Sequence, residues 1–124
     1  MICTIGRSED GRYIVQKVVG EMTRQAAMKY NLQAHAKGRE LGINRYLVDL
    51  TEARNTETGL GNYEFAYRDM KETPGIDRRA KVAVLVALGD HSHDFIETLA
   101  RNTGLDVTLF TDREEAIAHL VGSS

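Results

Sequence analysis

The chain has 124 residues, with 16 Lys and Arg against 18 Asp and Glu and a formal net charge of −2. That balance leaves no cationic excess to neutralise a phosphate backbone, which argues against a nucleic-acid binder; the single cysteine, Cys3, allows neither an internal disulfide framework nor a cysteine-rich zinc site. With 42% apolar residues, no apolar run near the ~20 residues that cross a bilayer and no signal-type start, the expectation is one cytoplasmic domain around one core.

In chain order, Ile2 to Ile5 is a short strand candidate, Ser8-Glu9-Asp10-Gly11 a turn, and Tyr13 to Val19 a β-branched run, so the first two strands form a hairpin, and Gly20 closes the second strand. Thr23 is placed to cap a helix running to about Glu40, with Gly42 as its stop. Ala26, Ala27, Tyr30, Ala34 and Leu41 share one face of that helix, with Gly38 beside them where a missing side chain lets the helix approach a sheet. Met28, Leu32 and Ala36 form a second apolar stripe, which one sheet does not explain. Tyr46 to Leu50 reads as a buried strand with Asp49 near its exit, and Thr51 to Gly59 as a polar loop. A helix from Leu60 to Glu72 follows, burying Leu60, Tyr63, Tyr67 and Met70 with Phe65 pointing away, and Thr73-Pro74-Gly75 ends it.

Val82 to Leu88 lacks alternation, as expected of a strand covered on both faces. An amphipathic helix from His91 to Asn102, a strand from Val107 to Phe110 and a last helix started by Asp112 and Glu115 complete the chain. The order β-β-α-β-α-β-α-β-α predicts an α/β fold, with a mixed, mainly parallel five-stranded sheet covered by about four helices.

Neither a dinucleotide-type glycine loop, a Walker-type loop nor a serine nucleophile elbow is present, so no catalytic residue and no cofactor is assigned. Gly89-Asp90-His91-Ser92-His93-Asp94 is the most polar cluster and follows the core strand at the edge where open α/β sheets place ligands. It reads as a solvated helix start capped by Asp90 or Ser92; His91 and His93 are only weak metal-ligand candidates, because residues two apart on a helix do not face one site. Asp49 is either a loop-organising acceptor or a site acid. Asn55, Thr56, Thr58 and Gly59 run into a helix start, where a hydroxyl can cap or a phosphate would meet free N–H groups. The surplus apolar residues Met28, Leu32, Ala36 and Phe65 suggest a partner surface, with a homodimer as the simplest partner. The competing reading is a pocket for a small apolar or lipid ligand, bordered by Asp49 and the Tyr63/Tyr67/Met70 helix.

The element order, together with Leu47-Val48-Asp49-Leu50-Thr51 and the run from Asn55 to Gly61, resembles the STAS superfamily. That group includes anti-sigma-factor antagonists of the sporulation type and the cytoplasmic tails of sulfate transporters. In that family the strand exit leads to Asp-Ser-Ser/Thr-Gly-Leu-Gly opening a helix. Thr58, directly before Gly59-Leu60-Gly61, then takes the place of the phosphorylated hydroxyl. Thr56 stands where the family has an acid, and Glu57 where it has its first hydroxyl, so this is a degenerate switch motif. The ending, Phe110-Thr111-Asp112 before Glu114-Glu115-Ala116, looks like the divergent STAS-like branch, grouped by fold with lipid-binding CRAL-TRIO relatives and lacking a shared catalytic motif. The resemblance implies a non-catalytic regulatory or protein-interaction module.

Overall fold

Five strands lie side by side in the order in which the chain makes them. A computed structural model describes residues 2–56, 74–96, 98 and 104–122. The strands are β1 (Ile2–Arg7), β2 (Ile14–Met22), β3 (Arg45–Asn55), β4 (Lys81–Leu85) and β5 (Asp106–Phe110). β1 and β2 are antiparallel, and the three pairings that follow are parallel. Two helices, α1 (Arg24–Leu41) and α2 (Arg113–Val121), are complete among the described residues, and residues 95, 96 and 98 are helical. The predicted helix from Leu60 to Glu72 lies outside the described residues.

The hairpin closes as its sequence requires. The Ser8 hydroxyl donates to Asp10 Oδ1 at 2.8 Å while its oxygen accepts from the Arg12 and Tyr13 N–H groups, and Gly11 takes φ 73°. The Ser8 and Arg12 hydrogen bonds hold the Asp10 carboxyl down at about 2.

The central strands run further than the apolar pattern suggests. Gly20 does not close β2; it pairs with Ala53, and the ladder continues to Met22 opposite Asn55. The first half of the predicted polar loop, Thr51 to Asn55, is therefore strand. Its alternation was masked because Thr51, Glu52 and Arg54 are exposed there. At the same carboxyl edge β4 stops earlier, at Leu85, and Leu88 is turned out to solvent, 90% exposed.

Right-handed crossovers that always step the same way along a sheet deliver their helices to one face. α1 lies on that face, where Ala34 packs with Ile14, Tyr46 and Ala80. Ile96 and Phe95 pack on it too, against Val18, Leu50, Val84 and Val86. α2 follows the last strand and covers the opposite face, burying Ala116 and Leu120 on Tyr13, Leu47, Ala83 and Leu85. Because strand order equals chain order, the sheet formed by the described residues has no reversal point of the kind that opens a ligand crevice in doubly wound folds.

α1 begins and ends where the sequence places it: Thr23 accepts from the Ala26 N–H, and Gly42 adopts φ 69°. Its buried residues are Ala34, His35 and Gly38, so the predicted stripe holds at Ala34 and at Gly38 beside it and fails at Leu41. Leu41 is exposed, and a buried histidine defines the contact instead. Met28 and Leu32, read from sequence as surplus, are partly buried against Ile76 and Leu105; Ala36 is exposed. Phe65 lies outside the described residues. Among the described residues, no helix is long and apolar enough to cross a membrane.

Gly38 sets the distance between α1 and β3. A Cβ at this position would stand 2.0 Å from Tyr46 Oη and 2.6 Å from the Ile43 carbonyl oxygen. Gly38→Ala is expected to destabilise the protein by about 2–3 kcal/mol in urea unfolding, because a close-packed interface cannot absorb the methyl. Adding Tyr46→Phe should recover only part of the loss, since the Ile43 carbonyl still blocks the site; wild-type stability for the single variant would show that the helix can lift without cost.

Candidate functional site

β3 carries one residue more than β2 across a short stretch. Lys17 is opposite Asp49, but Val19 is opposite Glu52. The extra residue is a β-bulge, held by Asp49, whose Oδ1 accepts from the Thr51 N–H at 3.0 Å and from the Thr51 hydroxyl at 2.7 Å. The shift changes which side chains face α1: after Val48 and Leu50 come Ala53 and Asn55, while Glu52 turns to the other face and pairs with Lys17 at 2.8 Å. Asp49 is on that other face, buried, with Arg113 Nη1 3.3 Å from its Oδ2. Its carboxylate organises the bulge, and it is not among the described residues that line the cavity described next.

On the α1 face, a cavity of about 100 Å³ lies between α1, the sheet and residues 93–96. Met22, Ala27, Val48, Leu50, Val84 and Ile96 supply apolar wall, and Gln16, Asn31, His35, Asn55 and His93 supply polar atoms. Gln16 is buried and donates from Nε2 to Asn31 Oδ1 at 3.3 Å, linking β2 to α1 across the cavity. At the carboxyl edge of the sheet, the Asn55 N–H donates to Ser92 Oγ at 3.1 Å. The N–H and hydroxyl of Ser92 in turn bind Asp90 and keep its carboxyl below the usual range. Thr56 is exposed and is tied by its N–H and its hydroxyl to the Met22 carbonyl, one residue before the cap of α1.

The two histidines of the polar cluster part company. His91 is exposed and pairs with Asp94 at 3.1 Å. His93 is 1% exposed, lines the cavity, and places Nε2 3.2 Å from the Ala53 carbonyl oxygen. Among the described residues no group of three or more potential metal ligands occurs. Thr58 and Gly59, and with them Tyr63, Tyr67 and Met70, lie outside the described residues.

Sequence reasoning passed over Gln16, Asn31 and His35. Their signal was negative: polar residues at positions that the strand and helix periods assign to the inside. His35 stacks on Tyr46 with ring centroids 4.7 Å apart and planes 14° apart, and its Nδ1 accepts from the Asp77 N–H at 2.8 Å. Burial pushes its pKa down to about 4, with Asp77 opposing and Arg39 reinforcing the shift. Arg39 also donates to the Gly75 carbonyl at 2.9 Å, and Leu32 lies where a Gly75 side chain would be, so residues 74–80 are docked on α1 at several points.

No protein-family model matches the chain, and no curated protein matches it. Among solved structures it is similar to an uncharacterized protein of the DUF3478 family with a SpoIIAA-like fold from Shewanella loihica PV-4. The two share 20% identity and a TM-score of 0.58, over 96% of this chain and 92% of the other. The fold is SpoIIAA-like, as the STAS resemblance implied, and the reading of function rests on this chain's own residues.

Two predictions follow from the geometry around Tyr46 and the bulge. Neutral His35 is bound in the fold and protonates more readily in the unfolded chain, so between pH 6.5 and about 4 the unfolded state holds the extra proton. Stability therefore falls as pH drops through that window, by up to about 3 kcal/mol. Urea unfolding at a series of pH values should show this slope, and His35→Gln should flatten it relative to wild type. Asp49→Ala is expected to cost about 1–3 kcal/mol by stranding the Thr51 donors. Arg113→Ala, removing a half-exposed partner, should cost less than ~1 kcal/mol; equal costs would show that the ion pair, not the bulge, is what Asp49 serves.

Proposed function

We propose that the chain is a non-catalytic regulatory domain that binds a small, largely apolar molecule between α1 and the sheet. The observation that carries this reading is the cavity itself: apolar walls, a few polar side chains, and a rim at Asn55, where the strand exit meets the residues of the degenerate switch motif. Small-molecule sites have this composition, and their few polar groups fix orientation. No step of chemistry is assigned, because the polar groups of the site are spent on structure: Asp90 on Ser92, Ser92 on Asn55, and Asp49 on the bulge.

Regulation at Thr56 is the second reading, and a specific contact favours it. The Thr56 hydroxyl donates to the Met22 carbonyl beside the start of α1, whose first turn carries no acidic residue. A phosphate there would break that bond and bring negative charge to the positive end of the helix dipole. Thr58 belongs to the same reading through the sequence motif. Such a domain needs a protein reader, and a second copy of the chain is the first proposed, because symmetric dimers dominate soluble oligomers.

Native mass spectrometry of freshly purified protein should show a retained small-molecule mass that is lost on denaturation. Ala27→Phe, filling the cavity from α1, should remove that mass while leaving the circular dichroism spectrum unchanged; a clean apo mass counts against the ligand reading. For the switch, incubation with a kinase-containing extract and peptide mapping should find phosphate on Thr56 or Thr58, and its absence from both removes it. Light scattering at high concentration should report twice the chain mass, and a strict monomer removes the self-partner.

A further inference from the structure

We propose that the cavity selects an uncharged molecule carrying a hydrogen-bond donor on an apolar body, an alcohol, phenol or amide, and that Nδ1 of His93 accepts that hydrogen. This rests on the ligand-binding reading above and names the chemistry of its occupant.

The argument begins with the tautomer. His93 Nε2 lies 3.2 Å from the Ala53 carbonyl oxygen and 3.7 Å from Asp90 Oδ2. Both neighbours are acceptors, so Nε2 carries the proton. That leaves Nδ1 as a lone pair, and it is buried with no hydrogen-bond partner. Buried polar atoms in native proteins are almost always paired, so an unpaired acceptor favours a partner that brings a donor. His93 lines the cavity, and among the described lining residues Nδ1 is the buried side-chain atom without a partner. The neighbouring amides are engaged elsewhere: Gln16 donates to Asn31, and the Asn55 N–H to Ser92.

The same chemistry sets the charge and size of the ligand. A carboxylate brings only acceptors, would set its oxygens against the Nδ1 lone pair, and would lose hydration to apolar walls. An apolar cavity of about 150 Å³ in another protein takes benzene, so a space of about 100 Å³ limits the occupant to one small ring or a short chain. A ligand lacking a donor would fill the space but leave Nδ1 unpaired, so donor and non-donor isosteres should separate in affinity.

The test uses the full chain, labelled with ¹⁵N-histidine, and three probes of similar size: phenol, toluene and benzoate. Phenol is expected to bind at least about tenfold more tightly than toluene, and to move the His93 Nδ1 resonance upfield as an acceptor nitrogen gains a donor. His93→Phe keeps a ring but no acceptor and should bring phenol down to the affinity of toluene. The wild-type nitrogen shift stands on its own if that variant does not fold. Equal binding of phenol and toluene with an unmoved Nδ1 overturns the proposal and leaves the cavity reading standing. Preference for benzoate overturns it by making His93 a donor. Binding of none of the three removes both.

Discussion

One extra residue in β3 decides what the rest of the molecule can be. Side chains alternate along a strand, so adding a residue exchanges the two faces for everything after it. Before the bulge, Val48 and Leu50 face α1; after it, Ala53 and Asn55 do, and Glu52 goes to the side of Lys17. An unbulged strand would drive Glu52 and Arg54 under α1, and the space there could be neither apolar nor closed. Asp49 makes the irregularity tolerable by taking the Thr51 N–H and hydroxyl that the ladder leaves over. A buried acid outside the cavity thus sets the composition of the cavity's walls.

The second determinant is close contact between unlike partners. Gly38 lets α1 descend onto Tyr46, and the imidazole of His35 stacks flat on the same ring. This brings the helix near enough for His35 Nδ1 to hold the Asp77 N–H, and for Arg39 to reach the Gly75 carbonyl. The stretch from 74 to 80 is anchored to α1 through polar contacts, with Leu32 adding apolar area where Gly75 has no side chain. The apolar stripe that looked surplus in the sequence is part of this anchorage.

What the sequence disclosed follows from which signals are local. The caps at Thr23, Gly42 and Asp112, the hairpin turn around Gly11 and the packing role of Gly38 are written in single residues whose stereochemistry admits few alternatives. The apolar strand centres and their order were legible for the same reason. Non-local features were not. Thr51 to Asn55 looked like loop because its exposed polar face says nothing of the Val19–Met22 partner that makes it strand. Gln16 and His35 were passed over, since a polar side chain signals burial only once its partner, Asn31 or Asp77, is known. His91 and His93 look alike on paper, and only the fold sends one to solvent and the other 1% exposed beside Ala53.

The plain succession of strands, β1 to β5 from one edge of the sheet to the other, bears on how the chain becomes a protein. Parallel sheets usually pair strands distant in sequence, and the cost of closing those loops slows folding. Here each strand after β1 pairs with the strand before it, so the sheet can grow outward from the hairpin as a ribosome releases it, with no strand inserted between two already paired. α2 follows β5, and its docking on Leu47 and Ala83 covers the other side of the growing sheet. Synthesis order and assembly order can therefore coincide.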